Sequence, residues 1–175
     1  MQKFHIGMRK IKSLAAVALS FVIWQIIRIF LPMLEVHPIF GYIYALIEMR
    51  ETPEKTKNFG KLRIKATFVG LIIGLLFVTI SIFATQYIES SWLSVLAEFG
   101  IILIAALCAL CIAEAVGCKN FCGIAAIIAV ICMVSHSGED RYLYAIMRVL
   151  QTLIGVFSAM VVNISINKKE KKKND

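Results

Sequence analysis

The sequence predicts an all-α, polytopic integral membrane protein in which six transmembrane helices form a 3+3 inverted repeat. Three observations predict it: an apolar excess too large for a soluble core, basic residues gathered between apolar runs, and a short internal repeat. Hydrophobic residues make up 59% of the 175 and charged residues 17%, with a mean hydropathy of +0.81. Soluble domains carry about 45–50% apolar and about 25% charged residues. A domain this small leaves much of its surface exposed, so the excess needs lipid as its solvent.

Four runs, Ser13–Leu34, Ala66–Thr85, Trp92–Ala113 and Leu143–Ile166, are long enough to cross about 30 Å of hydrocarbon as helix. Two more, Val36–Met49 and Phe121–Val134, hold 14 residues each and reach about 21 Å, so length alone leaves each as a short span or a re-entrant piece. Charge decides for crossing. Were Val36–Met49 not to cross, Arg50, Lys55, Lys57, Lys61, Arg63 and Lys65 would sit outside with the end of the first span, against the positive-inside bias. With six crossings, 16 of the 19 Lys and Arg fall on the cytoplasmic side with both termini, leaving Arg28, Arg141 and Arg148. Glu35, Glu89, Glu139 and Asp140 then mark outer loops, and Tyr87, Trp92 and Tyr142 the outer headgroup layer.

The transmembrane domain is expected over residues 1–167, with halves at about 9–85 and 90–166. Residues 168–175 form a lysine-rich cytoplasmic tail, expected to be disordered and drawn to anionic lipid. Lys3, Arg9, Lys10 and Lys12 precede the first run, but it exceeds the roughly 7–15 residues of a signal-peptide core and reads as a retained span.

The net charge of +8 does not imply nucleic acid, because no basic stripe or reading element accompanies it. The five cysteines, Cys108, Cys111, Cys118, Cys122 and Cys132, lie in or beside apolar runs and give no disulfide framework. Thiols in such runs pack as small hydrophobes, so neither a metal nor another cofactor is expected. There is no nucleophile motif and no phosphate-cradling glycine loop, so no enzyme is expected.

The repeat is read at Arg63–Gly70, RIKATFVG, and Arg148–Gly155, RVLQTLIG, which share R-x3-T-x2-G at a separation of 85 residues. Short apolar segments precede both, starting Phe40-Gly41-Tyr42-Ile43 and Phe121-Cys122-Gly123-Ile124. Three spans per half is an odd number, so the halves are inverted, as in many transporters, where paired short segments point to the substrate site.

The chain resembles the six-span membrane domain of the bacterial aromatic acid exporters, the fusaric acid resistance-like proteins. The resemblance is carried by Pro38–Met49, the Thr52-Pro53 turn, Gly60, Arg63, Thr67, Gly70 and Gly74, and by the run from Gly123 to Asn163. Ala66 stands where the family pattern G-x2-R-x2-G-T-x2-G has glycine. The resemblance implies efflux of aromatic carboxylates or similar small organic anions across a bacterial inner membrane. Many relatives continue into a soluble cytoplasmic domain, which a chain ending at Asp175 is expected to lack. Six short spans enclose little volume, and a looser similarity to plant malate channels points the same way, to a homodimer. A non-transporting membrane scaffold and a passive anion channel stay open beside export.

Arg63 and Arg148 are the first candidates for an anion site, because guanidinium holds carboxylate with paired donors. Arg63 also stands where positive-inside arginines stand. Arg148 lies inside the sixth run, and Glu98 lies inside the fourth from the same side, so the two suit either a structural ion pair or a substrate carboxylate competing with Glu98. Thr67 and Thr152 suit a hydrogen bond to substrate or, more simply, to their own helix backbone. Gly70 with Gly74, and Gly155 with Ala159, form small faces for close helix packing. Gln25 and Arg28 share a helix face, Glu48 and Glu114 are expected in the solvated interface, and His37 and His136 mark the outer ends of the short spans.

Overall fold

The computed structural model describes residues 7–32, 34, 37–88, 90–134 and 140–174. Lys3, Glu35, Glu89, His136, Glu139 and Asp175 lie outside the described residues, as do the side chains of Asp140, Arg141 and the lysines beyond Asn167. Every described element is helical: α1 (Met8–Phe30), α2 (Ile39–Glu48), α3 (Pro53–Thr85), α4 (Ser91–Ala115), a 3-10 turn (Lys119–Phe121), α5 (Cys122–Val134) and α6 (Asp140–Asn174).

Local chemistry sets the ends. Thr52 caps α3, its Oγ1 accepting the Lys55 N–H at 3.3 Å, and Pro53 takes the first helical position, where a missing N–H costs nothing. α4 ends at Gly117, whose φ of +86° is the left-handed conformation glycine adopts freely. The Gly117 N–H donates to the Glu114 carbonyl and the Cys118 N–H to the Ala113 carbonyl, closing the last turn. α6 runs to Asn174, through the segment expected to be disordered. Lysine and glutamate are good helix formers, and positive charge suits a helix C-terminus.

Among the described residues, four helices are long and apolar enough to cross a membrane: α1, α3, Trp92–Ala115 of α4 and Tyr142–Asn167 of α6. α2 and Lys119–Val134 are shorter. Large apolar side chains such as Ile29, Phe30, Leu96, Leu103 and Leu107 are more than half exposed, while Glu48, Thr67, Thr152 and Asn163 are fully buried. That distribution, apolar outside and polar within, suits lipid as the surrounding solvent.

The described chain forms two compact units. The first takes α1, α2, the beginning of α3 up to Lys61, and α6 from Leu150 onward. Here α1 packs on α2, around Ala16, Ala45, Met49 and Ala159. The second unit is Leu62–Val149, in which α4 packs on α5 around Val78, Ala105, Ile128, Cys132, Met133 and Ala145.

In each unit a helix crossing sets a glycine against a backbone carbonyl. In the second, a Cβ on Gly70 of α3 would lie 2.4 Å from the Ala125 carbonyl oxygen and 2.9 Å from Ile128 Cβ. In the first, a Cβ on Gly155 of α6 would lie 2.4 Å from the Gly41 carbonyl oxygen and 3.0 Å from Tyr44 Cβ. Both crossings therefore meet a carbonyl and a side chain three residues on. Gly123 has nothing within 4 Å of its Cβ position, whereas Gly41 is crowded. The contacts thus match Gly41 with Ala125, three residues from the alignment of Phe40 with Phe121 that the sequence suggests.

Candidate functional site

Arg63 and Thr67 are one turn apart on α3. Arg63 is 4% exposed, and its guanidinium carbon lies 5.5 Å from the centroid of the Phe121 ring. The 3-10 turn brings Phe121 there: its N–H donates to the Cys118 carbonyl at 2.7 Å, and the buried Cys118 thiol donates to the Leu62 carbonyl at 3.7 Å. Cys118 thus ties the turn to α3 beside Arg63.

Thr67 is fully buried, and its Oγ1 has no hydrogen-bond partner among the described residues. The expected bond to its own helix is therefore not made. Other helical threonines do make it: Thr56 donates to the Thr52 carbonyl at 3.2 Å, Thr79 to Leu75 at 3.0 Å and Thr85 to Ser81 at 2.8 Å. The Oγ atoms of Ser20 and Ser158, in the first unit, share the condition of Thr67.

Arg148, on α6, is 7% exposed and lies 4.0 Å from the centroid of the Tyr144 ring one turn earlier. It is held inside rather than reaching to the interface. Glu98 is half-buried on α4. Arg63, Thr67, Glu98 and Arg148 all fall within the second unit, whereas Thr152, fully buried, belongs to the first. Each buried arginine therefore sits over an aromatic face, an arrangement that attracts the cation and fixes the guanidinium plane.

Several buried polar residues were not evident from sequence. Glu48, expected in the solvated interface, is fully buried at the end of α2 near Gly60. Glu114 does lie at the surface, 3.8 Å from Lys119. Gln151 is buried, and its Oε1 accepts the Phe40 N–H at 3.3 Å, one of the donors left open at the start of α2. Asn163, fully buried, donates through Nδ2 to Thr56 Oγ1 at 2.7 Å and to the Arg50 carbonyl at 3.0 Å. Asn167 donates to Asn163 Oδ1 and accepts from Lys12 Nζ, so a polar chain links α1, α6 and the α2–α3 turn.

Arg28 donates to Gln25 Oε1 at 2.9 Å, as their spacing on one face suggests. His37 is exposed, with its Nδ1 3.5 Å from the Tyr42 hydroxyl. An open apolar groove of about 760 Å³ runs along Leu75, Leu76, Thr79, Ile80, Phe83 and Ala84 with Tyr142. No arginine lines it.

The model of the family described as fusaric acid resistance protein-like matches residues 13–162. Neither a curated protein nor a solved structure matches the chain.

Proposed function

The chain belongs to the fusaric acid resistance protein-like family, a multi-pass membrane family with a role in transport, and on that premise we propose that it exports small organic anions such as aromatic carboxylates, alone or as a transporter subunit. The observation that carries the proposal is the burial of Arg63 and Arg148 in apolar helices, each over an aromatic ring. A buried charge is costly and is characteristically kept where it serves a cavity, a partner or a substrate. An aromatic carboxylate matches both parts of the arrangement: its carboxylate takes the paired guanidinium donors, and its ring takes the aromatic face. Thr67 supplies a hydroxyl for the same ligand, Glu98 is the carboxylate with which the substrate competes for Arg148, and Thr152, in the first unit, answers to Thr67 in the repeat.

The export reading carries a six-span topology with inverted halves, both termini in the cytoplasm of a bacterial cell, and a homodimer as the working unit. The matching glycine crossings of Gly70 and Gly155 support related halves, and the odd number of spans in each inverts them. α2, with ten residues, is shorter than the hydrocarbon layer, and Gln151 accepts the Phe40 N–H at its start, a backbone donor that lipid would leave unmet.

Flux of an aromatic carboxylate across proteoliposomes tests the proposal. The parent chain moves the anion, and Arg148→Ala, checked for folding by size exclusion, does not. Undiminished flux through folded Arg148→Ala would end it. In intact cells a cysteine placed within residues 55–61 is expected to resist impermeant thiol reagents, and labelling there would remove the topology.

A further inference from the structure

A basic pocket in the first unit lies apart from the buried arginines. It is lined by Arg9, Arg50, Glu51, Lys55 and Phe59 and encloses about 320 Å³, the space of roughly ten waters. Three basic side chains face one carboxylate. Arg9 Nη2 donates to the Met49 carbonyl at 3.5 Å, which places it at the negative end of α2. The Arg50 guanidinium is stacked 4.6 Å from the Phe59 centroid, and its buried Nε has no hydrogen-bond partner among the described residues. Lys55 reaches Glu51 at 3.6 Å, but both side chains are well exposed, and such a pair yields readily to a stronger anion.

The neighbours of these residues along the chain are apolar and exposed: Met8 at 49%, Ile11 at 44% and Ile47 at 48%. Positive charge therefore begins where the apolar surface of α1 and α2 ends, which is the depth of the phosphate layer in a bilayer. We propose that this pocket binds the phosphate of an anionic phospholipid, with Arg9, Arg50 and Lys55 as its donors and the acyl chains lying along the exposed apolar faces of α1 and α2. A free organic anion has the charge but no use for those faces. The proposal stands independently of the export reading.

Native mass spectrometry of the full chain, given equal amounts of short-chain phosphatidylglycerol and phosphatidylcholine, is the test. Phosphatidylglycerol adducts are expected to dominate, and Arg50→Gln and Lys55→Gln each weaken them about fivefold. Lys57→Gln removes the same charge from an exposed residue outside the pocket and is expected to change nothing. Lys55 is exposed, so its variant reports even if Arg50→Gln fails to fold. Equal binding of the two lipids, or equal effects of Lys55→Gln and Lys57→Gln, would overturn the assignment. Displacement of phosphatidylglycerol by millimolar inorganic phosphate would overturn it too, in favour of a soluble anion.

Discussion

Gly70→Ala is expected to force α3 away from α5. The new Cβ would lie 2.4 Å from the Ala125 carbonyl oxygen, and since Cβ contacts under 3.0 Å are essentially never seen, the helices must part by at least about 0.6 Å. The obstructing atom is backbone, so no change of rotamer relieves it. Overpacking of this kind costs about 1–3 kcal/mol, and the rigid partner places it at the upper end. The better helix propensity of alanine offsets about 1 kcal/mol, leaving a net loss of about 2 kcal/mol. For a chain of this length that lowers the melting temperature by about 4–8 °C. Gly155→Ala meets the Gly41 carbonyl oxygen at the same 2.4 Å and is expected to match it. Gly100→Ala is the control, because nothing lies within 4 Å of its Cβ position. Thermal unfolding of the three variants in lipid nanodiscs decides the matter. If Gly70→Ala and Gly155→Ala melt with Gly100→Ala, the close crossings are not what holds the helices together.

Thr67→Val keeps the shape and removes a buried hydroxyl that has no hydrogen-bond partner among the described residues, so stability is expected to stay level or rise by about 1 kcal/mol while anion flux falls. A clear drop in melting temperature would reveal a structural hydrogen bond instead. Asn163→Leu takes the side-chain donor from the Arg50 carbonyl and one of the hydrogen bonds of Thr56 Oγ1, which keeps those to Thr52 and Arg50, and is expected to cost about 1–3 kcal/mol, read by the same thermal assay. Arg63→Lys keeps the charge but loses the planar fork, and liposome flux is expected to fall about tenfold, whereas a site needing charge alone would keep it.

Much of the architecture is legible in the amino-acid pattern, and the exceptions share a cause. Apolar runs locate α1, α4 and most of α6, because a lipid-facing helix declares itself by composition. Hydropathy places the start of the third span at Ala66, but the helix begins at Pro53, since the glutamate, lysines and arginine of residues 54–65 lower the hydropathy while favouring helix. The lysines of the tail mislead in the same way. Arg148 stands out because charge in an apolar run is conspicuous, and Arg63 because it opens the same short motif as Arg148. Glu48, Gln151 and Asn163 do not: their burial depends on contacts with partners distant in sequence, such as Gln151 with Phe40 and Asn163 with Thr56. The register of the short helices is likewise a matter of contact, and the resemblance of Phe40-Gly41 to Phe121-Cys122-Gly123 is not the one the crossings use.

The proposed repeat separates two kinds of polar residue. Counting 85 residues on from α3 to α6, Ala66 answers to Gln151 and Val78 to Asn163. Gln151 and Asn163 are structural ties, one meeting the open start of α2 and the other holding the α2–α3 turn, and at the matching positions α3 uses small or apolar packing. Arg63 with Arg148, and Thr67 with Thr152, keep the same residue type at both places. Packing explains why Gly70 and Gly155 agree, since both face a carbonyl at one distance. It does not explain why two arginines should agree, because α6 tolerates polar and α3 apolar residues at the neighbouring matched sites. On the proposed export reading, a guanidinium on each side of the anion's path accounts for the agreement, and transport is then expected to depend on the buried arginines rather than on the buried amides.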